Sequence, residues 1–219
     1  MDPRTEELRA AHDVLAEVHA VRLANILDQM PIERAVLGLF AQLVREHGTG
    51  TGTDVGDIGC GTGRLAPYLV SQGLSPHGVD LSPEMVRIAR RDHPDHPWQV
   101  ADLRSLPFED DSLDGAVAWY SLMYLAPEHR RSAFGELARV VKPGGLVATA
   151  FKLGDDSLRR GGASLDLGIG FDIYWLSRHE MERCFTEAGF EVVFWADRPA
   201  DPDEVQPQGY LVARAIVSA

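Results

Sequence analysis

The chain has 219 residues, of which 45% are hydrophobic and 25% are charged, a balance typical of one soluble domain with a sizeable core. The formal net charge is −12, from 33 acidic against 21 basic residues, and the basic residues form no long run. This charge disfavours nucleic acid as a partner. No stretch approaches the roughly 18 consecutive apolar residues of a membrane span, so we expect no membrane association of that kind.

The N-terminus and the cysteines predict the compartment. The first residues, MDPRTEELRAAHD, carry acidic side chains where a signal peptide has positive charge followed by an apolar run. The chain has two cysteines, Cys60 and Cys184, which lie far apart and lack CxxC spacing. A disulfide framework or a zinc site is therefore not predicted. We expect a cytoplasmic protein with reduced thiols and no metal.

Two helices are predicted before the first glycine-rich stretch. Residues 4–29 place apolar side chains at the spacing of one helical face, and we expect Pro31 to end this helix. A second amphipathic stretch, residues 32–48, ends at a glycine, which is a common helix stop.

Two glycine triplets occur within GTGTGTDVGDIGCGTGRL, residues 48–65. A nucleotide-binding loop must follow a strand and open a helix. The first triplet, residues 48–52, follows a predicted helix and precedes a strand, so we interpret it as a connector. The second, residues 59–63, follows the strand-like TDVGDI and precedes GRLAPYLVSQG, which has helical spacing. The second triplet is therefore the candidate cofactor loop.

From this loop onward, predicted strands and helices alternate. We predict strands in PHGVDL, PWQVADL, SLDGAVAWYSL and LVATAFK, helices in SPEMVRIARRDH and APEHRRSAFGELARVV, and a tight turn at KPGG. Repeated βα units predict an α/β fold with a parallel sheet, helices on both faces and right-handed crossovers.

The pattern changes after Lys152. Residues 153–176 are rich in glycine and aspartate, and we predict a long loop of the kind that often forms a lid or a substrate-binding segment. The helix SRHEMERCFTEAG follows, with Ser177 and Glu180 spaced as a capping box, and then the strands FEVVFWA and GYLVARAIV.

An acidic residue follows the candidate loop at an informative distance. Asp80 ends the next predicted strand, 21 residues after Gly59. A carboxylate at this place can accept hydrogen bonds from both ribose hydroxyls of a nucleotide cofactor. At this point NAD and S-adenosylmethionine both fit.

The segment from Asp57 to Gly63, DIGCGTG, resembles the first motif of the class I S-adenosylmethionine-dependent methyltransferases. GVDLSPEMVRIAR, ADLRSLPFEDDSLDGAV and ELARVVKPGGLVATAF resemble the later motifs of this family, in the family's order, across residues 53–152. EAGFEVVFW and YLVARA are similar more loosely. A nicotinamide dehydrogenase more usually shows GxGxxG, whereas position 64 here is Arg64. One departure is Gly56, where the family often has a large apolar residue.

The resemblance implies a Rossmann-like fold with a seven-stranded, mostly parallel sheet and helices on both faces. The last strand would be antiparallel and lie between the fifth and the sixth. The predicted division is an N-terminal helical cover, residues 1–47, and an S-adenosylmethionine-binding domain, residues 48–219, with residues 153–176 as its substrate loop.

The resemblance also implies which residues bind the amino acid end of S-adenosylmethionine. The backbone of Gly59, Cys60 and Gly61 would lie against that end of the cofactor. Asp57 and Gly63 would support this loop.

The nucleoside end of the cofactor is assigned in the same way. Asp80 would hold the ribose, and Leu81 and Met85 would pack on the adenine face. Asp102 would accept a hydrogen bond from the adenine amino group, and the backbone N–H of Leu103 would donate to the ring. A further residue, Trp119, would contribute backbone contacts near the methionine carboxyl end.

Aromatic side chains are candidates for the acceptor site. Tyr120, Tyr124, Tyr174 and Trp175 either form a wall for a flat or cationic acceptor or belong to the ordinary core.

Histidines are the other candidates near the acceptor. His179 is either a base or a first-turn helix residue. His12 and His19 share one helical face, which lies either over the cofactor or in solvent. We assign no catalytic residue.

The favoured hypothesis is a methyltransferase that transfers a methyl group from S-adenosylmethionine to an oxygen, nitrogen or carbon atom of a small molecule. Two alternatives remain at this stage: an NAD-dependent oxidoreductase, and a cofactor-binding protein without transfer activity. The sequence leaves the acceptor and the oligomeric state open.

Overall fold

The computed structural model describes residues 1–47, 52–162, 167–202 and 204–217. Most of the predicted connector, residues 48–51, lies outside these described residues. Within them, no helix combines the length and the apolar character that crossing a membrane would require.

The N-terminal segment contains two helices with different bounds from those predicted. Helix α1 runs Pro3–Leu23, a short 3-10 helix covers Ile26–Gln29, and helix α2 runs Pro31–His47. The prediction that one helix continues to residue 29 and ends at Pro31 is wrong. Pro31 instead opens α2, because the first position of a helix needs no backbone N–H donor and suits the fixed φ of proline.

The predicted Rossmann-like sheet is confirmed, with seven strands in the order β3-β2-β1-β4-β5-β9-β8. Its strands are β1 Asp54–Ile58, β2 Ser75–Asp80, β3 Trp98–Val100, β4 Leu113–Trp119, β5 Val141–Lys152, β8 Phe190–Arg198 and β9 Gln208–Ala215. Strands β1 to β5 pair in parallel. Strand β9 is antiparallel to both of its neighbours, β5 and β8, as the family resemblance implies.

Helices cover both faces of the sheet. The remaining helices are α3 Ala66–Ser71, α4 Pro83–Asp92, α5 Pro127–Val140 and α6 Arg178–Glu187. One face of the central strands packs against α5 and α6, and the other against α2 and α3. All seven residues of β4 are buried, as expected for a central strand covered on both faces.

Gly56 is explained by packing within the sheet. A Cβ atom at this position would lie 2.8 Å from Ile58 Cδ1 and 2.9 Å from Leu113 Cδ1. The space that a large apolar residue would fill is therefore taken by these two side chains.

The predicted KPGG turn lies inside strand β5. Leu113 pairs with Val141, but Gly115 pairs with Leu146, so residues 142–145 form a bulge in β5. Gly144 has φ +81°, a conformation that glycine adopts without strain.

The prediction of a long loop at residues 153–176 is wrong. Strands β6 Ser157–Gly161 and β7 Phe171–Trp175 pair in antiparallel fashion as a separate two-stranded sheet. Within β7, Phe171 and Ile173 are buried while Asp172 and Trp175 are less so. This partial alternation indicates a strand, but the surrounding glycines and aspartates obscure it in the sequence.

Candidate functional site

A cavity of about 400 Å³ lies at the carboxyl ends of the central strands. Its wall includes Gly59 after β1, Asp80 at the end of β2, Tyr120 after β4 and Lys152 at the end of β5. Chain order reverses between β1 and β4, and the crevice at such a reversal is where open α/β sheets bind ligands.

The glycine loop after β1 is held in place by backbone contacts. Gly59 N and Cys60 N both donate to the Val79 carbonyl oxygen, at 2.8 and 2.9 Å. Gly59 has φ +78°, and a Cβ atom there would lie 2.4 Å from Ser121 Cβ. Glycine is therefore required at this position by both backbone conformation and space.

Asp80 ties this loop to the next helix. Its Oδ2 accepts from Gly61 N at 2.8 Å and its Oδ1 accepts from Ser82 N at 2.9 Å. The residue is 8% exposed, and burial raises the pKa of its carboxyl, although the Ser82 N–H and nearby His12 lower it in part. Asp80 thus shapes the loop in addition to lining the cavity, a tethering role that sequence reasoning missed.

Two cavity-lining groups of opposite charge lack partners within the described part of the chain. Asp57 is 1% exposed, and neither of its carboxylate oxygens has a hydrogen-bond partner. Burial raises the pKa of Asp57 to about 7, and the Arg64 charge lowers it only in part. Arg64 Nη1 is likewise buried and unpaired. This pair suits a ligand that carries an ammonium and a carboxylate, as an α-amino acid does.

Arg64 was missed as a site residue by sequence reasoning. The signal that could have identified it is its position directly after the glycine loop and two residues before the start of α3.

The predicted adenine-side residues line the same cavity. They are Leu81, Met85, Asp102 and Leu103. Asp102 also accepts hydrogen bonds from the Arg104 guanidinium, with Nε at 2.9 Å from Oδ1 and Nη2 at 2.5 Å from Oδ2. Burial raises the pKa of Asp102, but these bonds lower it by more, so it lies below its usual value. A ligand amino group on Asp102 would share the carboxylate with Arg104.

Trp119, the last residue of β4, and Tyr120, which follows it, both donate to Glu33 of α2. Trp119 Nε1 lies 2.8 Å from Glu33 Oε2, and the Tyr120 hydroxyl lies 2.7 Å from Glu33 Oε1. Glu33 is 1% exposed and lines the cavity. Sequence reasoning missed it, although an acid on the apolar face of α2, close to Val36 and Leu37, was a visible signal.

Three of the four predicted aromatic residues, Tyr120, Tyr124 and Tyr174, line the cavity. Trp175 does not lie among the lining residues, so its predicted place in the wall is wrong. Successive side chains of a strand point to opposite faces, and Trp175 instead stacks under the Arg159 guanidinium, 4.5 Å from the ring centre.

The histidines of α1 face the cavity. His12 and His19 both line it, with ring centres 6.2 Å apart, and the His12 ring lies 5.0 Å from that of Tyr124. Burial lowers the pKa of His19 to about 4, so this ring is neutral at physiological pH. His179 is exposed in the first turn of α6 and is not among the lining residues.

The sequence matches a known family model over part of its length. Residues 55–145 match the model described as a methyltransferase domain. The malonyl-[acyl-carrier protein] O-methyltransferase of Pectobacterium atrosepticum is 34% identical over 127 residues, which are 54% of this chain and 49% of that protein. The demethylmenaquinone methyltransferase of Renibacterium salmoninarum is 29% identical over 150 residues, which are 68% of this chain and 60% of that protein. The match to the first relative thus spans about half of its length.

Solved structures share the fold at low sequence identity. An S-adenosylmethionine-dependent methyltransferase from Methanosarcina mazei superposes with a TM-score of 0.69 at 20% identity, covering 80% of this chain and 98% of that chain. The 1,6-didemethyltoxoflavin-N1-methyltransferase of Burkholderia thailandensis has a TM-score of 0.63 at 19% identity, covering 94% and 90%. Together with the matching domain model, they show a methyltransferase domain over residues 55–145 and the fold of the S-adenosylmethionine-dependent methyltransferases across most of the chain.

Proposed function

We propose that this protein transfers a methyl group from S-adenosylmethionine to an oxygen, nitrogen or carbon atom of a small molecule. The observation that carries the proposal is the unpaired pair of charges, Asp57 and Arg64, on the cavity wall beside the glycine loop.

Asp57 and Arg64 are the groups that would bind the amino acid end of the cofactor. The Asp57 carboxylate would take the ammonium group, and the Arg64 guanidinium would take the carboxylate. NAD has no amino acid end, so the same two charges would stay unsatisfied with NAD bound. Buried charges are costly without a partner, which favours the ligand that pairs both.

Asp80 is the group that would hold the ribose. A carboxylate has about four lone-pair sites, so Asp80 can keep the Gly61 and Ser82 N–H groups and still accept from a ribose hydroxyl. Leu81 and Met85 supply apolar surface for the adenine ring.

The chemistry itself needs little from the protein beyond position. When bound, S-adenosylmethionine supplies a methyl group on a positively charged sulfur. The chain's own residues orient the acceptor for in-line attack and exclude water. The lining side chains Tyr120, Tyr124 and Tyr174, with the α1 histidines above them, would form the acceptor wall.

The test is calorimetric titration of the purified protein with S-adenosylmethionine, S-adenosylhomocysteine and NAD. We expect binding of the first two and none of NAD. NAD binding, or no binding of either sulfur ligand, would overturn the proposal.

Arg64→Met sharpens this test. We expect S-adenosylhomocysteine to bind this variant roughly 10- to 100-fold more weakly, because a charged hydrogen bond contributes about 1.5–3 kcal/mol. 5′-Methylthioadenosine lacks the amino acid end, so its affinity should not change. The exposed Arg22→Met is the matched control. Equal weakening of both ligands would contradict the assigned contact.

A further inference from the structure

Three polar side chains lie in one row across the sheet at the end of β5. Lys152 pairs with Gln208 of β9, and Gln208 pairs with Arg198 of β8. Directly paired residues of antiparallel strands point to the same face, so these side chains stand next to one another. Lys152 and Gln208 both line the cavity.

Arg198, at one end of the row, is already neutralised. Its Nη1 and Nη2 bond the two carboxylate oxygens of Glu204 at 2.5 and 2.8 Å, and its Nε donates to the Tyr210 hydroxyl at 3.0 Å. The Glu204 carboxylate also lines the cavity, but both of its oxygens are engaged by Arg198.

Lys152 has no such partner. Within the described ranges, its ammonium makes neither a hydrogen bond nor an ion pair with another side chain. Burial lowers the pKa of Lys152, and the Arg198 charge adds to this while Glu204 opposes it. An anionic ligand would offset the unfavourable burial of the Lys152 ammonium, because an opposite charge stabilises the ammonium form.

Gln208 carries an unused acceptor. The residue is 1% exposed, and its Nε2 donates to the Gln206 carbonyl oxygen at 3.1 Å. Its Oε1 is buried without a partner among the described residues. A buried acceptor without a partner is unfavourable, so a ligand that donates to this oxygen would bind more tightly.

We propose that Lys152 and Gln208 form an acceptor subsite that binds a small molecule with a carboxylate group beside a hydroxyl or N–H group. Lys152 Nζ holds the carboxylate, and Gln208 Oε1 accepts from the neighbouring donor. This subsite rests on the proposed function, because it assumes that the methyl acceptor binds at the end of the cavity that lies away from the glycine loop. Tyr120 N donates to the Ala150 carbonyl oxygen at 2.8 Å. Lys152 follows Ala150 by two residues, so it lies next to the acceptor wall.

The charges beside Lys152 favour an anionic group at this subsite. The neighbouring Glu204 carboxylate is already paired with the Arg198 guanidinium, so the ammonium of Lys152 is left for a ligand to pair.

The test uses salicylate and its neutral analogue salicylamide, titrated calorimetrically into protein saturated with S-adenosylhomocysteine. We expect salicylate to bind at least about 10-fold more tightly than salicylamide, since a charged pair is worth more than a neutral contact. Lys152→Met should abolish this preference and Lys152→Arg should keep it. Gln208→Leu should weaken salicylate several-fold but leave benzoate, which has no hydroxyl, unchanged.

Controls separate the subsite from the cofactor site. S-adenosylhomocysteine affinity should be the same in every variant, which also shows that each one is folded. Arg131→Met removes an exposed positive charge outside the cavity and should keep the preference. A preference that survives in Lys152→Met, or no binding of either acid while S-adenosylhomocysteine binds, would overturn the subsite. Failure of the wild-type protein to bind S-adenosylhomocysteine would overturn the proposed function instead.

Discussion

The strands that carry the glycine loop and the segments that cover the cavity are held by different forces. We call β1, β2 and β4 the frame, and α1 with the β6–β7 hairpin the cover. The frame consists of parallel strands whose side chains are mostly buried, all of them in β4. In α1, by contrast, the buried residues are Ala11, Leu15 and Ala16, a small apolar stripe for a helix of 21 residues.

Polar contacts make up much of the attachment of the cover. They are Asp2–Arg104, Asp13–Ser82, Glu17–Arg87 and Glu17–Arg91. Ion pairs between exposed groups typically contribute less than about 1 kcal/mol each and weaken with salt. We infer that the cover opens at lower cost than the frame deforms, which suits a cavity that a ligand must enter.

The largest expected effect is on ligand affinity, from Asp80→Ala in the frame. The change leaves the Gly61 and Ser82 N–H groups without their acceptor and removes the proposed ribose contact. With about 1.5–3 kcal/mol for each charged hydrogen bond, S-adenosylhomocysteine should bind at least 100-fold more weakly by calorimetry. The exposed Asp95→Ala should bind normally. Near-normal affinity in Asp80→Ala would mean that the loop does not depend on this carboxylate.

The pH dependence of stability tests the buried charge in the frame. Burial raises the pKa of Asp57 from the ordinary aspartate value of 3.8 to about 7 in the folded protein. The folded state therefore binds the proton more tightly, and Asp57 lowers the free energy of unfolding as pH rises from about 4 to about 7, by at most roughly 4 kcal/mol. Urea unfolding of the ligand-free protein at pH 5 and pH 8 measures this.

In the Asp57→Asn variant the side chain at this position cannot ionise, so the variant should not show this decline in the free energy of unfolding. The difference in unfolding free energy between wild type and variant should therefore shift in favour of the variant between pH 5 and pH 8. Asp95→Asn should produce no shift. A difference that is independent of pH would show that Asp57 is ionised in the fold at pH 5.

The smallest effect is expected in the cover. Glu17→Gln removes the ion pairs with Arg87 and Arg91, and should lower the free energy of unfolding by less than about 1 kcal/mol. Amide hydrogen exchange in α1 should become faster while exchange in the frame is unchanged. Added salt should produce the same change in the wild-type protein, whereas the exposed Glu109→Gln should not. Equal acceleration in α1 and β4 would mean that cover and frame open as one unit.

The sequence by itself determined the frame. Alternating strand and helix patterns predicted the parallel sheet, and DIGCGTG followed by Asp80 located the glycine loop after β1 and its acidic partner. The antiparallel strand β9 came from the family resemblance, because side-chain periodicity carries no information on strand order. These features were accessible because each depends on residues close together in the chain, where local sterics and spacing decide the conformation.

Only the tertiary structure decided which distant residues complete the site. Glu33 meets Trp119 and Tyr120 across separations of 86 and 87 residues, and Lys152 meets Gln208 only because β9 returns beside β5. The outward direction of Trp175 likewise follows from the β6–β7 pairing, which the local glycines hid. Such contacts depend on how elements pack against each other, and the local spacing of residues does not encode that packing.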